Sequence, residues 1–125
     1  MMQNDRASDL LGMVVEREDF GHAVVSMLLR DDMMNGHDVT HGGFVFALAD
    51  TAFAIACNDD VDVTLAAGAD ISFLKATRAG QTLTATAVER SRSGRSGIYD
   101  VTVVDEAGDV VAEFRGRSRT LRAGS

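Results

Sequence analysis

Between Phe44 and Cys57 the chain is apolar on nearly every side, and one carboxylate, Asp50, stands at the centre of the run. An ionised acid among Ala, Phe and Leu is costly unless it is hydrogen-bonded, paired or partly solvated. It is therefore a candidate functional group. The alternative is a helix turn that faces water or a structural partner, with Thr51 extending the same polar stripe, and the residue alone leaves both open. Gly42-Gly43 precede the run. Glycines let a ligand approach the backbone, and the first N–H groups of a helix are unsatisfied donors with partial positive charge. Such an end can polarise a carbonyl or hold an oxyanion, although a loop needing positive φ would use two glycines equally well. His41 could serve as a general base or simply fix the helix start. His22 and His37 have no metal-ligand spacing with it, so no metal site is expected. The basic stretch Ser91-Arg92-Ser93-Gly94-Arg95-Ser96-Gly97 could cradle phosphates or be a flexible hairpin connection. Arg115, Arg117 and Arg119 share one strand face, the usual pattern of a solvated edge.

These residues need a frame. Residues 12–18 and 22–30 look like strands around Asp19-Phe20-Gly21, and 31–42 carry turn chemistry with Asn35-Gly36 in the middle. The Ala- and Leu-rich run over about 43–57 predicts a helix, stopped by Asn58-Asp59-Asp60 and buried on all sides. Strands follow over 63–75, over 81–88, where Leu83, Ala85 and Ala87 alternate with threonines, and around Tyr99, Val101 and Val103. A turn at Asp105–Asp109 leads into 110–120, with Val110, Ala112 and Phe114 facing one way. The pattern predicts an α+β fold, an antiparallel sheet curled around one central helix, with the later strands in hairpin order.

With 125 residues, 46% hydrophobic and 6% aromatic, and neither Trp nor Pro, the chain reads as one domain over 1–125. Its ordered core is expected over about 10–121, with frayed ends at 1–9 and 122–125. Nineteen acids against twelve bases give a formal charge of -7, which repels nucleic acid and anionic membrane. Fourteen acids are Asp and Lys75 is the only lysine. That bias fits either adaptation to high salt or compositional drift in a GC-rich genome. A lone Cys57 excludes a disulfide framework. The absence of a signal pattern or long apolar run suggests a cytoplasmic protein.

Taken together, Asn35-Gly36 and the stretch His41-Gly42-Gly43-Phe44-Val45-Phe46-Ala47-Leu48-Ala49-Asp50-Thr51-Ala52-Phe53 resemble the phenylacetic-acid-pathway (PaaI-type) thioesterases of the hot-dog superfamily. Gly94–Val101 and Phe114–Ser118 look like that family's strand pattern, and the resemblance runs from about Leu10 to Leu121. It implies a hot-dog fold and hydrolysis of acyl-CoA thioesters without a cofactor. Asp50 would then be general base or nucleophile, the Gly42 N–H would hold the thioester oxygen, and Asn35 would position the water. The resemblance further implies a homotetramer, a dimer of dimers, in which Asp50 faces Asn35 and Gly42 across the dimer interface.

Related enzymes often place a Ser or Thr hydroxyl near the acid, from the strand after the helix. Here that stretch is Ala66-Ala67-Gly68-Ala69, flanked by Thr64 and Ser72, so Thr51 supplies the hydroxyl or none is needed. Coenzyme A carries about four negative charges, which an acidic chain must meet with local cations. Arg92 and Arg95 are the first candidates, Arg115 and Arg117 the second, with Gly43, Phe44 and Gly97 completing the expected substrate contacts. Two other readings are an enoyl-CoA hydratase or dehydratase with His41 facing the acid, and an acyl-CoA-binding module without turnover.

Overall fold

Sixteen residues, Gly42–Cys57, form the long helix α2. Its start is fixed by His41, whose imidazole accepts the Gly43 N–H. Asn58 ends it, donating its side-chain amide to the Ala54 carbonyl (2.8 Å) and accepting the Thr64 N–H (3.1 Å), so one residue stops the helix and aims the next strand. The turn between the first two strands closes the same end, because the Gly21 N–H donates to the Ala56 carbonyl at 2.8 Å.

The computed structural model describes residues 5–59 and 61–121. Around α2 lie β1 (Val14–Asp19), β2 (His22–Leu28), β3 (Val63–Phe73), β4 (Thr82–Ser93), β5 (Ser96–Val104) and β6 (Val110–Leu121). They form one six-stranded sheet in the order β1-β2-β4-β5-β6-β3, antiparallel throughout. The hairpin order expected after the helix holds only for β4, β5 and β6. Strand β3 crosses to the far edge and pairs with β6, while β4 pairs with β2, placed before the helix. Helix α2 packs on the concave side. Phe53 lies against Tyr99 and Phe114 there, and Leu48, Ile55, Val25, Leu83, Val101 and Val103 are buried around it. Phe53 can sit this low only because position 116 is glycine: a Cβ there would lie 2.7 Å from the ring.

Several expectations are corrected. Of the residues 1–9 expected to be frayed, 6–9 instead belong to a short helix, α1 (Arg6–Leu10), capped by Asp5, which accepts the Ser8 N–H. Residues 1–4, Asp60 and residues 122–125 lie outside the described residues. The segment Ser91–Gly97 is mostly strand, with only Gly94-Arg95 in the turn and Gly94 at φ 60°. A register irregularity between Val103 and Val104 turns Val110 outward and buries Val111 instead. Helix α2 is not covered all round either: Gly43 is exposed, and Ala47, Asp50, Thr51 and Ala54 are only partly buried. Those positions recur every three or four residues and make one open, mostly small-residue face.

The two sheet edges differ. Strand β1 is short, carries Glu16, Arg17, Glu18 and Asp19, and is kinked between Val15 and Arg17, the usual protection against pairing with another chain. Strand β3 runs eleven residues and leaves Val63, Leu65 and Phe73 exposed. Just beyond it, Lys75 donates to Asp105 (2.6 Å) and Asp109 (2.7 Å). Asp105 also accepts the N–H groups of Ala107 and Asp109, so this ion triad ties the β3 exit to the β5–β6 turn.

Candidate active site

The entry to α2 is held from two sides. The His41 N–H donates to the Met33 carbonyl (2.9 Å), and the Thr40 N–H donates to the Thr77 carbonyl (2.8 Å). His41 Nδ1 accepts the Gly43 N–H at 3.1 Å, and its carbonyl accepts the Phe44 N–H at 3.0 Å. These bonds use two of the donors that a helix start leaves over. The Gly42 N–H has no partner among the described residues. It also lies at the positive end of the helix, where a developing oxyanion is favoured. A Cβ there would stand 3.0 Å from the tip of the exposed Phe73 ring, which would have to give way by a few tenths of an ångström. The cap fixes the state of His41: its one neutral-imidazole lone pair is spent on Gly43, leaving the Nε2 proton outward. That state has no lone pair left for a base opposite the acid.

Asn35 belongs to the same entry. Its Oδ1 accepts the N–H groups of His37 (2.8 Å) and Val39 (3.4 Å), which identifies that atom as oxygen. Its backbone N–H donates to Val39 and its carbonyl accepts from Asp38, which takes φ 59° in this tight loop. The Asn35 amide NH2 is left without a partner among the described residues.

Asp50 lies elsewhere. It is half-buried on the open side of α2 and accepts no hydrogen bond from any described residue, and burial raises its pKa above the usual carboxylate value. Its charge reaches Cys57, two turns on, whose thiol is pushed up to about 11 by burial first and by Asp50 in smaller part. Eight residues separate Asp50 from Gly42, a rise of about 12 Å along the helix at about 1.5 Å per residue. The two cannot touch the same carbonyl group within one chain. Thr51 follows Asp50, but its hydroxyl donates to the Ala47 carbonyl (2.8 Å), so it can only accept from a ligand. Neither flanking hydroxyl replaces it here. Thr64 is buried against Thr120 (2.9 Å), and Ser72 is exposed in a groove with Asp70, Asp100 and Thr102.

The arginines stand at the other end of the helix. Arg92 lies over the Phe20 ring at 4.8 Å and near Glu89 at 3.5 Å. Arg95 is partly buried and makes no side-chain hydrogen bond or ion pair among the described residues. Both line a polar cavity of about 170 Å³ with Ser96, Tyr99, Ser118 and Thr120, and Asp59 and Asp62 lie on its wall. Gly97 is buried within β5, where a Cβ would come 2.7 Å from the Ser118 hydroxyl. Arg115 and Arg117 are engaged: Arg115 forks onto Asp100 (2.7 and 3.1 Å), and Arg117 donates to Asp70 (3.0 Å). Strand β6 is internal to the sheet, so this face is not an edge.

The expected residues thus fall into three groups: Asn35, His41, Gly42, Gly43 and Phe44 at the helix entry, Asp50 and Thr51 at mid-helix, and Arg92, Arg95 and Gly97 beyond its end. Sequence reasoning missed the closure of Phe73 over Gly42, which joins positions far apart in the chain. It also missed Gly116, although a glycine at an inward strand position between Arg115 and Arg117 signals a close approach. Among the described residues no group of three or more His, Cys, Asp or Glu could hold a metal. No described helix is long and apolar enough to cross a membrane.

A six-stranded antiparallel sheet packed around one long helix is the hot-dog fold. The chain belongs to the thioesterase superfamily, whose family model matches residues 37–112. It is 43% identical over 121 residues to the acyl-coenzyme A thioesterase PaaI of Escherichia coli, covering 97% of this chain and 86% of that one. The structure of the E. coli PaaI protein from the phenylacetic acid degradation operon matches with a TM-score of 0.94, over 98% of this chain and 88% of that chain. A point mutant of the phenylacetic acid degradation protein PaaI from Thermus thermophilus is 37% identical, with a TM-score of 0.88 over 92% and 98%. The family and fold expected from the His-Gly-Gly to Asp stretch are borne out.

Proposed function

We propose that the protein hydrolyses acyl-CoA thioesters at a centre assembled from two copies of the chain. One observation carries the reading: the unpartnered, desolvated Asp50 and the unpaired Gly42 N–H stand about 12 Å apart along one helix, too far for either to complete the other's chemistry. Two copies whose open α2 faces pair about a twofold axis bring Asp50 of each toward Gly42 and Asn35 of the other. The long apolar edge β3 would pair with its counterpart in the same dimer, and two dimers make the tetramer.

In this site the thioester oxygen lies on the Gly42 N–H, which takes up the charge as the carbonyl carbon becomes tetrahedral. Asp50 acts as general base or nucleophile. As base it removes a proton from a water held by the Asn35 amide, and the hydroxide oxygen bonds to the carbonyl carbon. Collapse breaks the carbon–sulfur bond, releasing the acid and the coenzyme A thiolate, which takes up a proton. His41 sets the helix start so that Gly42 is the free amide, and Thr51 accepts rather than donates. Arg95, with Arg92 beside it, meets the phosphates of the nucleotide.

Asp50→Asn keeps the shape and removes the basicity. Thiol release should fall about a hundredfold or more while acyl-CoA still binds. Near-wild-type turnover in the folded variant would refute the role.

A further inference from the structure

Between β3 and β4 the chain is exposed from Leu74 to Gly80 except at Thr77, which is 2% exposed. Its carbonyl accepts the Thr40 N–H (2.8 Å), and its hydroxyl donates to the Thr40 hydroxyl (2.8 Å). Thr40 in turn donates to the Met34 sulfur (3.9 Å), and Met34 and Thr40 pair as an antiparallel bridge. The line from Thr77 through Thr40 to Met34 thus closes the neck of a loop. Asn35 follows Met34 directly, and Gly42 stands two residues after Thr40. The grip is anchored on the sheet, because the Leu74 and Lys75 N–H groups donate to the Val111 carbonyl (2.8 and 3.2 Å). A valine would have the shape of Thr77, so what threonine adds here is the direction of one hydrogen bond.

We infer that Thr77 is a positioning residue for the reaction: through Thr40 and Met34 it sets the place of the Asn35 amide relative to the Gly42 N–H. The inference rests on the proposed hydrolysis, in which those two groups hold the water and the thioester oxygen. The bonds that Asn35 makes to His37, Asp38 and Val39 are internal to the loop, so they fix its shape but not its place. Among the described residues, every hydrogen bond from 34–41 to chain outside 31–44 goes to Thr77 or Arg78. Arg78 reaches only the carbonyl of Asp38 (3.1 Å), at the exposed tip of the loop. Thr77 holds the neck, from a buried position and with two bonds. A shift of about 1 Å in a positioned group can cost up to about a hundredfold in rate, so a neck that slackens is felt at the reacting carbon.

Thr77→Val keeps the shape and the backbone bond and removes the hydroxyl, whereas Thr77→Ser keeps the hydroxyl. The measurements are kcat and KM by thiol release from acetyl-, octanoyl- and phenylacetyl-CoA, with melting curves alongside. In Thr77→Val kcat should fall about tenfold while KM stays within about twofold, and Thr77→Ser should bring kcat back to within about threefold of wild type. Added to Asn35→Ala, Thr77→Val should cost less than about threefold more, because the group it positions is already gone. An unchanged kcat in Thr77→Val, whatever its melting temperature, overturns the positioning role and leaves Thr77 a packing residue. A loss that Thr77→Ser does not recover, or one that multiplies in full with that of Asn35→Ala, overturns it as well. Should Thr77→Val not fold, Thr40→Val and Thr40→Ser remove and restore the same bond from its other end, and the same outcomes decide. No thiol release from any of the three esters by the unsubstituted protein overturns the thioesterase reading, and the inference with it.

Discussion

Asp50 and the Gly42–Asn35 entry can be damaged separately, on different chains, and recombined. Reaction requires a donor and a base each within about 3 Å of the reacting groups. One chain spreads Asp50 and Gly42 over about 12 Å, so the proposed site takes Asp50 from one copy and Asn35 and Gly42 from another. Asp50→Asn alone should retain about one hundredth of wild-type turnover, and Asn35→Ala about one tenth, since it orients water without taking the proton. The two variants, differently tagged, are unfolded together and refolded at equal amounts. About half of the dimers then carry one of each variant, and each hybrid holds one doubly damaged and one intact site, so turnover should approach about a quarter of wild type. The unmixed variants, averaged, give about a twentieth by the same estimates. Because two dimers make the tetramer, selection for both tags discards only tetramers of a single variant, and turnover should stay at about a quarter to a third of wild type. If thiol release by the purified hybrid stays at the average of its parents, each centre is built within one chain, and the argument from helix geometry is wrong.

Three further outcomes follow from particular contacts. Burial raises the pKa of Asp50, so its ionisation costs the folded state: the stabilising effect of its neutral form is full below the unfolded value and lost as pH rises through the folded one. The acidic limb of kcat/KM should therefore lie above the ordinary carboxylate value of about 4, and Asp50→Asn should raise Tm at neutral pH but not at pH 3; an acid limb at or below the ordinary value would contradict this. Gly116→Ala puts a methyl into the Phe53 ring and should cost about 1–3 kcal/mol in denaturant unfolding; an unchanged midpoint would mean that the ring moves aside freely. If the Asp-rich composition is an adaptation to salt, molar potassium chloride should raise Tm by screening like charges, whereas equal melting in dilute buffer leaves compositional drift.

The central helix was legible because it is written locally: an Ala-rich run, a glycine pair before it and Asn58 after it mark both boundaries to within a residue. The alternating threonines of β4 and the turn at Asp105 are local in the same sense. What the sequence hid is long-range. Nothing in residues 63–73 says that they cross the sheet to pair with β6, because an apolar strand fits any apolar neighbour. The helix seemed buried on all sides because Ala47 and Ala54 read the same whether they face a sheet or nothing. At the site, residue types pointed to Asp50 and Gly42, but only the folded chain gives their separation, the spending of the His41 lone pair and the closure of Phe73 over Gly42. Sequence placed Arg92 and Arg95 ahead of Arg115 and Arg117 but showed no partner for any of them. Their carboxylate partners, Asp100 and Asp70, set Arg115 and Arg117 apart from Arg95.

The ion triad at the β3 exit bears on the chemistry of amines. Thioesters acylate unprotonated amines, and Lys75 is the only lysine in the sequence. Its ammonium is held between two carboxylates, and the hydrogen bond to Asp105 first, then that to Asp109, raises its pKa. The free-base form that would attack an activated acyl group is thus scarcer here than on an ordinary lysine. The one lysine side chain of the sequence is held further from the free-base form that an activated acyl group could acylate.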